Sequence, residues 1–299
     1  EYRGYDSAGI AYVNDGKVKI IKKKGPIKNL EKKVNYDEET NLGISHTRWA
    51  THGEANDINS HPHRQGKITL VHNGIIENYD ELKKELIKKG YKFNTSTDTE
   101  VAAGVIDDLY KEEKDMLKAL NKATYVLNGS YAFNIINDDI PNIIFGIRKD
   151  SPLIVGIGEN ENILASDIPA ILHITNKYVV LDNYDIVCLT KDNIKYYNRE
   201  GIEINKEVRE FTDEKEAISK NGYEHFMLKE INEEPEIVKK LLNLYTENGK
   251  VKDIFDISKY KNIDIVACGS ASFAGQLGKY YIEKYAGIRV NVYFASEYR

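Results

Sequence analysis

The sequence predicts a layered domain of β-sheets with helices outside them, followed by the opening of a doubly wound α/β domain. Three observations carry that expectation. Strand-like runs stand before and after a block of helical patterns rather than alternating with them one by one, which suits stacked sheets better than a strictly parallel fold. A charged stretch poor in large apolar residues, Thr212 to Asn221, then interrupts the pattern. Beyond it, a strand, a turn of small residues, a helix and a further strand follow in order.

Ile10 and Tyr12, then Val18 and Ile20, alternate about Asn14-Asp15-Gly16, the pattern of a hairpin with an Asp-Gly turn. Leu42 to His46 and Ile68 to His72 are short apolar runs, each leading into a polar loop that contains glycine, where functional side chains concentrate. Asn78 to Lys89 carries Tyr79, Leu82, Leu86 and Ile87 at helical spacing and stops at Gly90. Thr99 to Leu127 reads as two more helices divided near Glu112 to Asp115. Strands resume at Tyr131–Asn137, Asn142–Arg148, Leu153–Gly158, Ile163–Ser166, Tyr178–Leu181 and Asp185–Thr190.

Past Gly222 a long helical pattern carries Phe226, Ile231, Ile237, Val238, Leu241, Leu242 and Leu244. A largely apolar, buried strand is expected at Ile263–Ala267, the turn Cys268-Gly-Ser-Ala-Ser272 after it, and a helix from about Phe273 to Tyr285. The domains predicted are 1–212, a linker at 213–222, and 223–299.

Across 299 residues, 41% hydrophobic and 30% charged describe a soluble globular protein of one large or two ordinary domains. A net charge of −5 gives no reason to expect nucleic acid, and the clusters Lys22-Lys23-Lys24 and Lys32-Lys33 read as solvated strand and loop edges. Cys188 and Cys268 lack the spacing of a disulfide framework or a thiolate zinc site, which fits a reducing cytoplasm. Both read as packing residues. No apolar run approaches the roughly 18 residues of a membrane span, and no leader opens the chain. Both ends read as interruptions: Glu1 stands where Met would, and Arg299 follows a strand that leaves a parallel sheet incomplete.

Three segments carry chemistry. Ser45-His-Thr-Arg-Trp-Ala-Thr-His-Gly53 sets Arg48, whose planar fork suits a carboxylate, beside Trp49, Thr51 and His52; a small amino acid held by its α-carboxylate is one reading, a surface Arg beside a core Trp the other. Val71-His-Asn-Gly74 places Asn73 and Gly74 at a strand end, where a side-chain amide and a backbone N–H make a two-donor oxyanion hole, or simply an Asn-Gly turn. Ser96-Thr-Asp-Thr-Glu100 starts a helix, so Asp98 and Thr99 either cap it or present a carboxylate to the α-ammonium of the ligand that Arg48 holds. Five of the seven histidines fall between His46 and His72, but with no Cys and no His-Glu-x-x-His helix beside them they point to hydrogen bonding and loop shaping rather than to a metal.

Glu1-Tyr-Arg-Gly-Tyr-Asp-Ser-Ala-Gly9, the Ser45–Gly53 segment, His61-Pro-His63, Val71–Asn78 and Thr97-Asp-Thr-Glu100 occur in the order seen in glutamine:fructose-6-phosphate amidotransferases, and the resemblance continues through Ser151-Pro-Leu153 and Ala165-Ser-Asp167. It implies an N-terminal-nucleophile hydrolase fold, a four-layer αββα sandwich, followed by the start of a sugar isomerase domain. It also implies that Arg48 clamps the glutamine α-carboxylate, Asp98 binds its α-ammonium, Asn73 and Gly74 form the oxyanion hole, Thr51 and His52 line the pocket, and Trp49 gates ammonia. The family's nucleophile is an N-terminal cysteine, expected about two dozen residues before Glu1. Neither Cys188 nor Cys268 stands in for it, so the chain as given is expected to be inactive.

Tyr223 to Pro235 resembles the family's interdomain junction, with Glu234 where Gln is usual. Ala267-Cys-Gly-Ser270 resembles its first sugar-phosphate loop, with Ala271 in place of the usual Ser, which leaves Ser270 and Ser272 to supply hydroxyls. The substrates implied are glutamine and fructose 6-phosphate, with glucosamine 6-phosphate and glutamate as products. Neither cofactor nor metal is implied, nor nucleic acid or membrane, and the full-length protein is expected to be a homodimer. The alternatives are another glutamine amidotransferase of the same type, such as the one that starts purine synthesis, or a non-catalytic sugar-phosphate-binding protein.

Overall fold

A computed structural model describes residues 4, 6–49, 54–211, 222–247, 249–252 and 259–298. The chain divides into two compact units, Glu1–Asn221 and Gly222–Arg299. The expected linker, 213–222, falls outside the described residues apart from Gly222.

In the first unit, β1 (Ser7–Asn14) and β2 (Lys17–Lys24) pair as an antiparallel hairpin. Asp15 and Gly16 turn it with φ of 50° and 71°, the left-handed pair that a two-residue turn between twisted strands requires. The short helix α1 (Ile27–Glu31) precedes β3 (Gly43–Arg48), β4 (His63–Gln65) and β5 (Ile68–Ile76). The helices α2 (Tyr79–Lys88), α3 (Asp98–Glu113) and α4 (Met116–Val126) follow. Left-handed Lys114 ends α3, and Asp115 caps α4 by accepting from Lys118 N–H, which is the division expected there.

The remaining strands are β6 (Gly129–Asn137), β7 (Ile144–Lys149), β8 (Ile154–Ile157), β9 (Asn162–Ala165), β10 (Lys177–Val180), β11 (Ile186–Leu189), β12 (Ile194–Tyr197), β13 (Glu203–Ile204) and β14 (Arg209–Glu210). Of these, β12, β13 and β14 lie beyond the runs legible as strands, because Lys195, Arg199 and Glu203 mask their alternation.

Seven strands form one antiparallel sheet in the order β13-β12-β11-β7-β6-β5-β4. Its two faces are told apart by residue parity. Leu70, Phe133, Ile135, Phe145 and Ile147 pack under α2, α3 and α4, with Ile106 and Leu120 from the helices. On the opposite face, Ala132, Val187 and Leu189 meet Val155, Leu164 and Val179 of the four-stranded sheet β14-β10-β8-β9. Val71 and Ile136 meet Ala11 and Ile44 of the three-stranded sheet β2-β1-β3. Helices, a large sheet and a second layer of sheets are thus in place. The fourth layer implied by the resemblance is thin among the described residues. It amounts to α1, which packs on β1 and β2, and a 3-10 turn at Ile168–Ala170, where Ile168 and Ile171 cover the outward Ile154, Ala165 and Val180.

In the second unit, α5 (Phe226–Tyr245) precedes a small hairpin of β15 (Thr246–Glu247) and β16 (Lys250–Val251). Then β17 (Asn262–Ala267), α6 (Gly269–Ala286) and β18 (Arg289–Phe294) form a parallel strand–helix–strand unit. Gly275 lets α6 approach β17 closely, since a Cβ there would sit 2.8 Å from Ile265. Two expectations need correcting. The strand β17 is half-buried rather than buried, because α6 covers one face while Val266 on the other is exposed. Cys268 is exposed at the head of α6, not a packing residue, whereas Cys188 packs in β11 and burial pushes its thiol up to about 12.

Polar side chains are buried where β3, β4 and β5 meet the start of α3: His61, His63, His72, Thr97 and Thr99 are all inaccessible. The His61 and His63 rings approach edge to face at 4.8 Å. Burial, more than the neighbouring positive charges, holds both rings well below the usual imidazole range, so they fold as neutral groups.

Two outcomes follow for stability. Truncating Phe133, fully buried and stacked on Tyr131 at 4.9 Å, costs about 3–5 kcal/mol, read as a lower urea midpoint at unchanged m. For the histidines, both states are neutral above the ordinary pKa of about 6.5. As pH falls below that value the unfolded chain takes up protons that folded His61 and His63 refuse, so stability is lost on acidification at about 1.4 kcal/mol per pH unit per ring. Urea midpoints between pH 7 and 5 measure the slope, which becomes shallower by about one proton in His61→Asn.

Candidate glutamine site

A cavity of about 130 Å³ opens at that polar junction, lined by His46, Thr47, Arg48, Trp49, His61, His72, Asn73, Gly74, Thr97, Asp98 and Thr99. The residues singled out in three separate segments therefore share one cavity, with two exceptions: Thr51 and His52 lie outside the described residues.

The elements that present them differ from the loops expected. Arg48 is the last residue of β3, paired with Ser7 of β1, and only 4% exposed. Its Nη1 donates to the Glu54 carbonyl at 3.3 Å, and Asn59 Nδ2 donates to the same oxygen at 3.1 Å. Burial pulls the guanidinium pKa down, and the Asp98 and Asp6 carboxylates oppose that. Trp49, 60% exposed, stands at the rim.

Asn73 and Gly74 are not in a turn after a strand. They sit inside the nine-residue β5, opposite Ala132 and Tyr131 of β6. Gly74 takes φ of 130°, and a Cβ there would lie 2.1 Å from the Ser130 carbonyl oxygen, so the position admits only glycine.

Neither Asp98 nor Thr99 caps α3. That role falls to Thr97, whose Oγ1 accepts from Glu100 N–H at 3.4 Å. The Asp98 carboxylate instead accepts from Ile76 N–H at 2.8 Å, tying the head of α3 to the end of β5. Thr99 Oγ1 lies 3.0 Å from His61 Nε2, 3.1 Å from His72 Nδ1 and 3.4 Å from Asp98 Oδ1.

His46 shares a face of β3 with Arg48 by strand alternation, a placement legible in the spacing of the two residues. Its Nε2 is 2.9 Å from Asn73 Oδ1, and its ring packs tilted against His61 with centroids 4.3 Å apart. Burial lowers its pKa to about 4, against the raising influence of Asn73. Lys22, read from sequence as a solvated edge, turns inward: Nζ donates to the Ile58 and Pro62 carbonyls at 2.8 and 3.1 Å, and desolvation lowers its pKa to about 8. Among the described residues no group of three or more His, Cys, Asp or Glu side chains is arranged to hold a metal ion.

In the second unit, Ser270 and Ser272 lie in the first turn of α6 rather than in a loop before it. Ser270 is exposed. Ser272 is 1% exposed and spends its hydroxyl on the Gly269 carbonyl at 2.7 Å, so it is not the free donor that the sequence suggested.

Comparison with known proteins adds what geometry alone does not. Residues 46–173 match the model of a glutamine amidotransferase domain. The whole chain is 48% identical to the glutamine--fructose-6-phosphate aminotransferase (isomerizing) of Clostridium perfringens and 47% identical to that of Aquifex aeolicus, covering 50% of each. It thus spans about half the length of the curated relatives it matches. Among solved structures, the glutamine phosphoribosylpyrophosphate amidotransferase from B. subtilis superposes with a TM-score of 0.60 at 18% identity, over 97% of this chain and 60% of that one. An allosteric regulatory enzyme of purine biosynthesis gives 0.58 at 24% identity, over 66% and 44%. At such identities these two speak to the fold alone, which this chain shares with them. Residues 46–173 therefore match a glutamine amidotransferase domain, in a chain similar along its whole length to about half of the glutamine--fructose-6-phosphate aminotransferases.

Proposed function

We propose that the cavity holds glutamine by its two charged poles, as part of an enzyme that moves the amide nitrogen of glutamine to fructose 6-phosphate and releases glucosamine 6-phosphate and glutamate. The observation that carries this reading is that Arg48 and Asp98 line the same small cavity as Asn73 and Gly74. A buried guanidinium and a carboxylate match a zwitterion, and each alone would be a costly buried charge. With the α-carboxylate on Arg48 and the α-ammonium on Asp98, the carboxamide reaches Asn73 Nδ2 and the Gly74 N–H, two donors for the oxygen that turns negative when the amide carbon is attacked. Trp49 at the rim suits a gate for the ammonia released.

The attacking thiolate is not supplied by Cys188, whose thiol burial keeps protonated in β11, nor do we assign it to Cys268, which heads α6 in the other unit. The second unit, with its strand–helix–strand order, reads as the start of a sugar-phosphate domain in which exposed Ser270 meets the phosphate. We read the chain as domains at 1–212 and 223–299 joined by a linker at 213–222, a reading supported by the two compact units Glu1–Asn221 and Gly222–Arg299. We place the whole protein in the cytoplasm as a homodimer; among the described residues no helix is long and apolar enough to cross a membrane.

Titration calorimetry tests the site. Glutamine binds the 299-residue chain, and Arg48→Ala weakens it roughly 30-fold or more, the loss of a buried charge pair. Glutaramate, which lacks the α-amine, binds as weakly to the native chain as glutamine does to Asp98→Asn, and no more weakly to that variant. Equal glutamine affinity in native and Arg48→Ala protein rules the site out. A second measurement bears on the thiols: the same chain releases no ammonia from glutamine above the buffer rate, and turnover abolished by Arg48→Ala would contradict this.

A further inference from the structure

Beyond the residues that touch the ligand in this reading, the cavity has a back wall whose hydrogen bonds have a direction. Asn73 is useful to an anionic oxygen only if its NH₂ faces the cavity; turned over, the same side chain presents a carbonyl oxygen and repels what it should stabilise. An amide held by nothing populates both orientations.

We infer that His46 is a positioning residue that fixes the Asn73 amide, donating from Nε2–H to Asn73 Oδ1 and so turning Nδ2 toward the cavity. This rests on the proposed reading of Asn73 as an oxyanion donor. His46 Nε2 and Asn73 Oδ1 stand 2.9 Å apart, whereas His46 Nδ1 is buried and meets no hydrogen-bond partner. A neutral imidazole carries one N–H. Placed on Nε2 it is satisfied, while placed on Nδ1 it becomes a buried orphan donor, the costlier arrangement.

The ring is itself held. It packs against His61 in a tilted arrangement with centroids 4.3 Å apart, and His61 shows the same polarity: Nδ1 is buried without a partner, and Nε2 lies 3.0 Å from Thr99 Oγ1. Thr99 Oγ1 in turn lies 3.4 Å from Asp98 Oδ1. One line of contacts, Asn73 to His46 to His61 to Thr99 to Asp98, therefore joins the amide-binding end of the cavity to its ammonium-binding end. The groups facing His46 are His61, His72, Arg48 and Asn73, and the charged one among them, Arg48, favours a neutral ring.

The test has a spectroscopic and a binding arm. In the ¹⁵N-histidine-labelled chain at pH 7, long-range proton–nitrogen correlation shows the His46 ring neutral with its proton on Nε2. A proton on Nδ1 overturns the inference. In calorimetry, glutamate offers only acceptor oxygens at its γ end, whereas glutamine offers both a donor and an acceptor and tolerates a flipped Asn73. His46→Leu therefore weakens glutamate roughly fivefold and glutamine less than twofold, His46→Gln restores the glutamate affinity with its own NH₂, and in an Asn73→Ala background His46→Leu changes neither. Equal losses for the two ligands, or none, overturn it. If Arg48→Ala leaves both ligands bound, the glutamine reading itself has failed, whatever tautomer His46 shows. Should His46→Leu not fold, the tautomer of the native ring still decides.

Discussion

A sheet covered on both faces has no room for polar side chains except where its cover changes. The seven-stranded sheet meets helices on one side and two smaller sheets on the other, so β5, β6, β7 and β11 are apolar on both faces through most of their length. Such groups cluster where β3 and β5 pass the head of α3. There the chain buries histidines, threonines, an arginine and an aspartate together, and each must find partners among the others. Asp98 accepts from the β5 backbone, Thr99 joins His61 to His72, and His46 meets Asn73. A cavity remains because these groups satisfy one another along its walls rather than across it.

The electrostatics follow from the same crowding. Burial discharges His46, His61 and His63, leaving the guanidinium of Arg48 and the carboxylate of Asp98 as opposed charges facing the cavity. The start of a 16-residue helix adds partial positive charge beside the Asp98 carboxylate. Such a wall is matched to a molecule with both signs of charge, and less well to an anion or a cation alone.

Much of this was legible from residue order. The Asp-Gly hairpin, the helices α2 to α4 with their break at Lys114, and the strands β6 to β11 follow from periodicity, because each segment has an apolar face that its neighbours bury. Arg48, Asn73 and Asp98 were visible as residue types suited to a zwitterion and an oxyanion. Their mounting was not. Asn-Gly reads locally as a turn, and only pairing with β6, a contact between distant segments, keeps β5 extended through Gly74. Thr97 rather than Asp98 caps α3 because the Asp98 carboxylate has a competing donor in Ile76 N–H, 22 residues away in sequence. Lys22 misleads for the opposite reason: a lysine run on a strand looks solvated, yet two unpaired carbonyls at Ile58 and Pro62 draw one amine inward.

Among the described residues, the strand that carries Lys22 also bounds the three-stranded sheet, where β2 pairs with β1 alone. An open strand border invites pairing between molecules. Here the border is written Lys17-Val-Lys-Ile-Ile-Lys-Lys-Lys24, and Lys19 and Lys23 are anchored to Glu38 and Asp57 at 2.7 and 2.6 Å. A strand arriving from another molecule would have to strip water from a row of ammonium groups and dislodge two anchored side chains before its first backbone bond formed. Among the described strands this border is therefore a poor template for pairing with another molecule, independently of what the cavity binds.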